Sequence, residues 1–210
     1  IIPTKNMVIS ASADGTLRLT DIENRIAKKQ FNGHRSGVWD FALWGNNNHA
    51  ISASFDHSLR IWDLNSGGQT AKLEGHYDEV YSVKVTKDHR QAVSCSADTT
   101  IRIWDLVNYS EIKTLLGNEN DSKNIVLTND GQSILSSCWD HRVRLWDVTT
   151  GQLKKVYKGH KGPVHQILLF NNDRVVASAS SDESVKFWDI ESGEELQTLS
   201  GHQGQVFTLT

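Results

Sequence analysis

Apolar and polar residues alternate with a period of two along most of this chain. In residues 51–64 (ISASFDHSLRIWDL), Ala53, Leu59 and Ile61 alternate with polar positions, and the polar residues 56–58 separate two short runs. Such alternation places apolar side chains on one face of an extended strand, and the polar break marks a tight turn. The pattern therefore predicts a β-hairpin here, and no stretch shows the 3.6-residue period of a long helix.

The same hairpin pattern occurs five times. Its other copies are residues 9–22, 93–106, 135–148 and 177–190. Another apolar alternation precedes the hairpin, as in VYSVKV at 80–85, and a turn with a further short strand follows it, as in AKLEGH at 71–76. Each copy therefore predicts four short antiparallel strands joined by tight turns.

Two series of residues define the length of the repeat. Five glycines lie 42 residues apart: Gly33, Gly75, Gly117, Gly159 and Gly201. Four Trp-Asp pairs keep the same spacing, and Thr20-Asp21 takes their place in the first copy: Trp62-Asp63, Trp104-Asp105, Trp146-Asp147 and Trp188-Asp189. A four-stranded sheet of about 42 residues can bury both faces only between neighbouring copies, so the repeat predicts sheets stacked radially around an axis.

The Gly-His dipeptide, the Trp-Asp pair, the S-x-D turn and the 42-residue spacing resemble the WD-repeat family of β-propellers, and the resemblance covers the whole chain. It implies an all-β fold of five 42-residue blades with four antiparallel strands each. It also implies a rigid, non-catalytic platform that gathers other proteins. Seven blades is the commonest closed ring in that family.

The resemblance leaves the number of blades in the complete ring open. Residues 1–210 are predicted to be either one five-bladed domain or a segment of a larger ring, for example one of seven blades. Thr210 and Ile1 are consecutive in repeat phase, so a five-bladed ring would split one innermost strand between the two ends. We expect a segment of a longer array, and a closed five-bladed ring or an engineered or self-associating fragment is the alternative.

A set of His, Ser, Asp and Trp recurs at fixed offsets. The three full sets are His34, Ser54, Asp56, Trp62; His76, Ser96, Asp98, Trp104; and His160, Ser180, Asp182, Trp188. Ser, His and Asp suggest a hydrolase triad, but an enzyme needs one nucleophile in one pocket, and no G-x-S-x-G elbow is present. The resemblance implies a buried structural network instead, in which Asp accepts from His, Ser forms the bridge and the indole N–H closes the chain.

Two copies depart from this set. In the fourth, Asn118 replaces the His and Cys138 the Ser, while Asp140 and Trp146 remain. In the first, Thr20 replaces the Trp. We therefore predict weaker blades around residues 118–146 and 1–21. A basic residue also lies three positions before the Asp of each Trp-Asp pair, and we interpret these residues as members of surface or interblade ion pairs: Arg18, Arg60, Arg102, Arg144 and Lys186.

Two phases of the repeat are predicted to form a partner-binding face, because the resembled family often docks partners there. The first phase contains Trp39, Tyr81, Lys123, His165 and Phe207, and the second contains Ala13, Phe55, Ala97, Trp139 and Ser181. Aromatic anchors are typical of protein-binding hot spots. We predict a protein- or peptide-binding face of Trp39, Tyr81, Phe207, Phe55 and Trp139, with His165 and Lys123 in the same rows. The alternative is that some of these rings cover blade edges as core.

Charge and cysteine content narrow the classes of partner. The formal net charge of −3 provides no basic excess for nucleic acid, and the cluster Lys154, Lys155, Lys158, Lys161 is interpreted as a solubilising outer strand. No apolar run approaches the ~20 residues of a membrane helix, so membrane insertion is not expected. The two cysteines, Cys95 and Cys138, lie at different repeat phases and indicate a reducing compartment, cytoplasmic or nuclear.

Catalytic and metal chemistry have little support in this sequence. It contains no H-E-x-x-H, no paired C-x-x-C and no phosphate-binding P-loop, so we expect no metal, no cofactor and no catalytic residue. The preferred function is a protein-interaction scaffold. A regulatory or sensor module cut from a larger multidomain protein is an alternative, and a glycan-binding propeller, which would use the same aromatic residues, is a weaker one.

Overall fold

The computed structural model describes residues 6–210, and residues 1–5, which begin the first predicted copy, lie outside the described part. All regular structure in residues 6–210 is β-strand. Consecutive strands pair antiparallel, and they form five sheets in chain order. The period-two pattern in the sequence therefore corresponds to an all-β fold, as predicted.

The strands have the following bounds. The first sheet contains β1 (Met7–Ala11), β2 (Leu17–Asp21) and β3 (Ile26–Phe31). The second contains β4 (Val38–Trp44), β5 (His49–Ser54), β6 (Ser58–Asp63) and β7 (Gln69–Glu74). The third contains β8 (Val80–Val85), β9 (Gln91–Ser96), β10 (Ile101–Asp105) and β11 (Ser110–Leu115). The fourth contains β12 (Ser122–Leu127), β13 (Ser133–Cys138), β14 (Arg142–Asp147) and β15 (Leu153–Lys158). The fifth contains β16 (Val164–Phe170), β17 (Val175–Ser180), β18 (Val185–Asp189) and β19 (Glu195–Leu199).

The predicted four strands per copy are confirmed in four of these sheets, and the first sheet has three strands among the described residues. Neighbouring sheets contact each other chiefly through their first strands, β4 with β8, β8 with β12 and β12 with β16. This order matches successive blades of a propeller. The part of the chain that the structure describes does not close into a ring.

The core lies between the sheets, because both faces of each middle strand are covered by neighbours. Between the second and third sheets, Ile61 and Leu59 pack with Val83 and Trp104, all at most 1% exposed. Burying each such side chain stabilises the fold by about 1.5–3 kcal/mol. The seams between sheets therefore hold most of the hydrophobic stabilisation.

Polar side chains link the first strands of neighbouring sheets by hydrogen bonds to backbone amides. Asp40 Oδ2 accepts a hydrogen bond from the Val83 amide at 3.1 Å, and Asn124 Oδ1 accepts one from Ile167 at 3.2 Å. Gln166 Oε1 accepts one from the Leu209 amide at 2.7 Å. The last of these contacts holds residues 205–209 beside the fifth sheet, in the position of one more first strand.

At three of the outer seams, a lysine of one sheet bonds to a backbone carbonyl in a turn of the next sheet, a contact here called the lysine clamp. The ammonium of Lys113 donates to the Thr149 carbonyl at 2.6 Å, and its alkyl stem lies against Gly151, where a Cβ would be only 2.6 Å from Cδ. Lys29 and Lys155 repeat the contact with the carbonyls of Asn65 and Glu191. Between the second and third sheets, Ala71 and Tyr109 replace the lysine and the glycine, so that seam has no clamp.

Candidate functional site

A chain of hydrogen bonds crosses the second sheet, from a buried indole to a loop carboxylate. Trp62 Nε1 donates to Ser52 Oγ at 2.8 Å, and Ser52 Oγ lies 2.7 Å from His34 Nε2. His34 Nδ1 lies 2.8 Å from Asp56 Oδ2, which also accepts from the Arg35 amide at 2.9 Å. The chain ties the loop before β4 to the hairpin of β5 and β6.

The third and fifth sheets repeat this chain with nearly the same distances. In the third sheet its members are Trp104, Ser94, His76 and Asp98, with links of 2.8, 2.8 and 2.7 Å. In the fifth they are Trp188, Ser178, His160 and Asp182, with links of 2.8, 2.7 and 2.8 Å. The His, Asp and Trp that the sequence singled out therefore lie together in all three sheets.

The serine predicted to bridge these groups is the wrong one. In the register of β5 and β6, Trp62 lies opposite Ala50, so Ser52 is the diagonal neighbour of the indole, and Ser54 lies one side chain further away. Ser54 Oγ instead donates to the Ser36 carbonyl at 3.1 Å and accepts from the Asp56 amide at 3.1 Å. Ser96 and Ser180 fasten their loops in the same way, through the carbonyls of Asp78 and Gly162.

The buried network favours a neutral imidazole. Burial lowers the pKa of His76, although the hydrogen bond and charge of Asp98 oppose that shift. Burial raises the pKa of Asp98, but hydrogen bonds from His76 and Thr100 outweigh it and leave that pKa well below its usual value. With the imidazole proton on Nδ1, every link is matched: indole N–H to serine, serine O–H to Nε2, and Nδ1–H to the carboxylate.

This geometry is structural and unlike that of a hydrolase. The side chains of His34, His76 and His160 are 0%, 1% and 1% exposed. The bridging serines Ser52, Ser94 and Ser178 are 0% exposed, so no substrate carbonyl reaches their hydroxyl groups. Each serine oxygen already accepts a hydrogen bond from an indole N–H, which leaves the network without an open nucleophile.

In the fourth sheet, the equivalent aspartate binds an arginine instead of a histidine. Trp146 Nε1 donates to Ser136 Oγ at 2.9 Å, but the Asn118 amide turns away to the Thr99 carbonyl at 3.2 Å. Arg144 instead donates to both oxygens of Asp140, with Nη1 at 3.1 Å from Oδ1. Arginine replaces histidine as the buried partner of the aspartate.

Of the four basic residues before the Trp-Asp pairs, the three arginines are buried and Lys186 is partly buried. Arg60, Arg102 and Lys186 bond within their own sheets to Gln69, Glu111 and Glu195. In the fourth sheet the matching position is Leu153, which offers no acceptor, so Arg144 turns to Asp140. The Arg144 side chain is only 2% exposed. The interpretation as surface or interblade ion pairs is therefore wrong for Arg60, Arg102 and Arg144. It holds for Arg18, which pairs with Asp14 on the surface at 3.6 Å.

The seven residues predicted for the partner-binding face lie in one continuous row, here called the aromatic arc: Phe55, Trp39, Tyr81, Lys123, Trp139, His165 and Phe207. Trp39 stacks on Phe55 with ring centroids 5.1 Å apart and meets the Tyr81 ring edge-on at 6.4 Å. Lys123 Nζ lies 3.2 Å from the Tyr81 ring centroid and 4.0 Å from that of Trp139. At the other end, His165 is 6.4 Å from Trp139 and 4.8 Å from Phe207.

Members of the aromatic arc differ strongly in exposure. Trp39 and Phe207 are 64% and 63% exposed, and Trp139 is 37% exposed. Tyr81 is 8% exposed, and its hydroxyl donates to Glu79 at 2.7 Å. Trp39, Trp139 and Phe207 are therefore open to solvent, whereas Tyr81 is buried and packs against the Trp39 ring.

Electrostatics around Tyr81 reflect this burial. Burial and the hydrogen bond to Glu79 raise the pKa of the Tyr81 phenol well above its usual value, so it remains a donor. Burial lowers the pKa of Lys123, although the carboxylate of Asp121, 3.2 Å from its ammonium, opposes the shift. Lys123 is thus held between two rings and one carboxylate, an internal example of cation–π binding.

A cavity of about 280 Å³ opens beside the aromatic arc, among the first strands of the sheets. Trp39, Tyr81, His165 and Phe207 line it together with polar side chains that include Lys84. Lys84 is already paired with Asp40 at 2.7 Å. A larger cavity of about 410 Å³ lies at the opposite end of the third and fourth sheets, around the turns of Thr86 and Gly131.

No group of three or more His, Cys, Asp or Glu in residues 6–210 is placed to hold a metal ion. Burial raises the pKa of Cys95 to about 12 and that of Cys138 to about 11, so both thiols stay protonated. No helix long and apolar enough to span a membrane occurs in this part of the chain.

Comparison with known families identifies the class of this protein. The family model described as WD domain, G-beta repeat matches four consecutive segments, residues 26–63, 67–105, 109–147 and 151–189. These matches cover well over half of the chain, and the protein belongs to the WD40 repeat family. WD40 repeats generally mediate protein–protein interactions, and proteins built from them are typically non-catalytic scaffolds. No curated protein matches the chain.

Proposed function

We propose that this protein is a non-catalytic scaffold that binds a protein or peptide on the aromatic arc. The observation that carries the proposal is the continuity of the arc. Residues contributed by the second to fifth sheets and by the segment after β19 lie ring to ring, and Trp39, Trp139 and Phe207 expose large apolar surfaces. Aromatic anchors on a rigid support are the residues that dominate binding energy in protein interfaces.

The scaffold supplies rigidity to that surface. Trp39 is fixed by Phe55 and Tyr81, and Tyr81 by Glu79. Phe207 packs against His165 with ring centroids 4.8 Å apart. A partner would therefore meet side chains that are already held in place, which reduces the entropy lost on binding. The cytoplasm or nucleus suits a protein whose two cysteines are buried and unpaired.

Alanine substitutions test the proposal. We expect Trp39→Ala and Phe207→Ala each to weaken binding of a peptide selected against the wild-type protein by roughly tenfold or more, since hot-spot aromatic residues contribute ~2 kcal/mol. The matched control is Tyr109→Ala, which removes a half-exposed ring from a turn at the opposite end of the third sheet. Fluorescence anisotropy gives the affinities, and thermal melts show whether each variant folds.

Two results would contradict the proposal. One is wild-type affinity in folded Trp39→Ala and Phe207→Ala proteins. The other is an equal loss of binding in Tyr109→Ala, because that result would place the binding surface elsewhere. Tyr81→Ala is the less informative variant, since this ring is buried and its removal would disturb the fold.

A further inference from the structure

The aromatic arc already binds one cation of its own. The ammonium of Lys123 lies over the faces of Tyr81 and Trp139 and 3.2 Å from an oxygen of Asp121. Two ring faces and a carboxylate are the combination that stabilises a partly desolvated ammonium or guanidinium. This internal contact shows which chemistry the arc accommodates.

The neighbouring part of the arc has an exposed ring and a carboxylate but no cation between them. Trp39 is stacked on Phe55 on one side and meets Tyr81 at 77°, yet 64% of its surface is open. The carboxylate of Glu79 lies 2.7 Å from the Tyr81 hydroxyl. An exposed indole therefore stands one ring away from a carboxylate.

Charge at this edge favours a positive partner. The loops before β8 and β12 carry four carboxylates: Asp78, Glu79, Glu119 and Asp121. Two cations offset them, Lys123 on Asp121 and Arg142 on Glu119 at 2.7 Å. Among residues 6–210, Asp78 and Glu79 form no ion pair with a lysine or arginine within 4.0 Å. The half-exposed His57 is 4.0 Å from Asp78, and Lys123 interacts with Glu79 at longer range.

We propose that the partner of the aromatic arc presents a basic segment, in which a lysine or arginine side chain lies on the open surface of Trp39 and pairs with Glu79. This inference rests on the proposed function and specifies its ligand. The partner cation would repeat at Trp39 what Lys123 does at Tyr81. The carboxylates around it would also speed association at low salt, because opposite charges steer the encounter.

The test uses a phage-displayed library of random dodecamer peptides, panned on the full 210-residue chain. Enriched sequences are synthesised with a fluorescein label and titrated against five proteins: wild type, Trp39→Ala, Phe207→Ala, Glu79→Gln and Glu194→Gln. Glutamine at 79 still accepts the Tyr81 hydroxyl, so the fold is kept and only the charge is lost. Glu194, exposed in the turn before β19, is the matched control for loss of one negative charge.

We expect peptides enriched in lysine or arginine, a loss of tenfold or more in Trp39→Ala, and a loss of about fivefold in Glu79→Gln, the size of one exposed ion pair. Glu194→Gln should change affinity less than twofold. Peptides that depend on Trp39 but are acidic or neutral, or that ignore Glu79→Gln, would overturn this inference and leave the proposed function standing. If no enriched peptide depends on Trp39, this inference fails, and if none loses affinity in the Phe207→Ala variant either, the proposed function fails with it.

Discussion

The third and fourth sheets place the same buried aspartate beside a turn and neutralise it with different groups. In the third, His76 links Asp98 to Ser94 and the indole of Trp104. In the fourth, Arg144 binds Asp140 directly, and the pair of Ser136 and Trp146 is left without a histidine. The comparison shows that the carboxylate and the turn it caps are the constant feature, while its partner can change.

The largest expected loss of stability follows from replacing the arginine of the fourth sheet. Arg144→Met should destabilise the protein by ~3 kcal/mol, because it leaves the nearly buried carboxylate of Asp140 with only the more distant Arg142, at 3.8 Å, as its cation. Urea unfolding with coincident fluorescence and circular dichroism measures the change. Adding Asn118→His to Arg144→Met should recover part of the loss, since it restores the histidine of the other sheets. An Arg144→Met protein as stable as wild type would show that the ion pair is dispensable.

Replacing the histidine of the third sheet should cause the next largest loss of stability. His76→Ala should cost ~2 kcal/mol, since Asp98 and Ser94 both lose a buried partner. Asn118→Ala should cost well under that, because the side chain makes one hydrogen bond, to Thr99. Equal urea midpoints for the two variants would refute the distinction between the sheets and the predicted weakness of residues 118–146.

Acid should affect the two sheets differently. The folded-state pKa of His76 lies below 6.5, so below pH 6.5 the unfolded chain binds more protons and stability falls as the pH drops. His160 acts in the same direction. Each extra proton steepens the fall by up to about 1.4 kcal/mol per pH unit. The fourth sheet has no such histidine. Burial raises the pKa of Asp140, but the hydrogen bonds and charge of Arg144 outweigh it and lower that pKa below 3.8, so its contribution to stability is lost only as the pH falls toward and below 3.8.

Hydrogen exchange followed by mass spectrometry at pH 7.0 and 5.5, corrected for the intrinsic rates, measures this contrast sheet by sheet. Protection should decrease in β9 and β10 and remain in β13 and β14. His76→Asn should reduce the loss in the third sheet, whereas the exposed His57→Asn should leave it unchanged. Equal acid sensitivity in both sheets would contradict the assignment of a neutral buried imidazole.

The smallest effect concerns the seams on either side of the third sheet. Lys113 clamps its junction with the fourth sheet, but Ala71 and Tyr109 leave the junction with the second unclamped. Ala71→Lys combined with Tyr109→Gly should stabilise the protein by about 0.5–1 kcal/mol, since glycine suits the φ of 55–86° found at these turns better than tyrosine does. Thermal melts compare the double variant with Tyr109→Gly alone. Equal melting temperatures for the double variant and Tyr109→Gly would show that the lysine clamp does not contribute to stability.

Much of the candidate site could be predicted from the repeat phase. Residues 42 apart occupy equivalent positions in successive sheets, so Trp39, Tyr81, Lys123, His165 and Phe207 necessarily fall in one row. Their individual environments could not be predicted in this way. Tyr81 is buried under Lys123 and bonded to Glu79, while Trp39 at the same phase is open, because the neighbours of each ring differ from sheet to sheet.

The sequence by itself determined the strands, their grouping into five sheets and the buried His, Asp and Trp, because period and spacing set which face each side chain occupies. Only the tertiary structure decided which groups meet. It assigned the bridge to Ser52 instead of Ser54, since the diagonal across β5 and β6 brings Ser52 to the indole. It also turned Arg144 to Asp140, since Leu153 offers no acceptor. Whether a hydrogen bond forms depends on differences of a few tenths of an ångström in the distance between donor and acceptor on different strands. A one-dimensional pattern does not contain those distances.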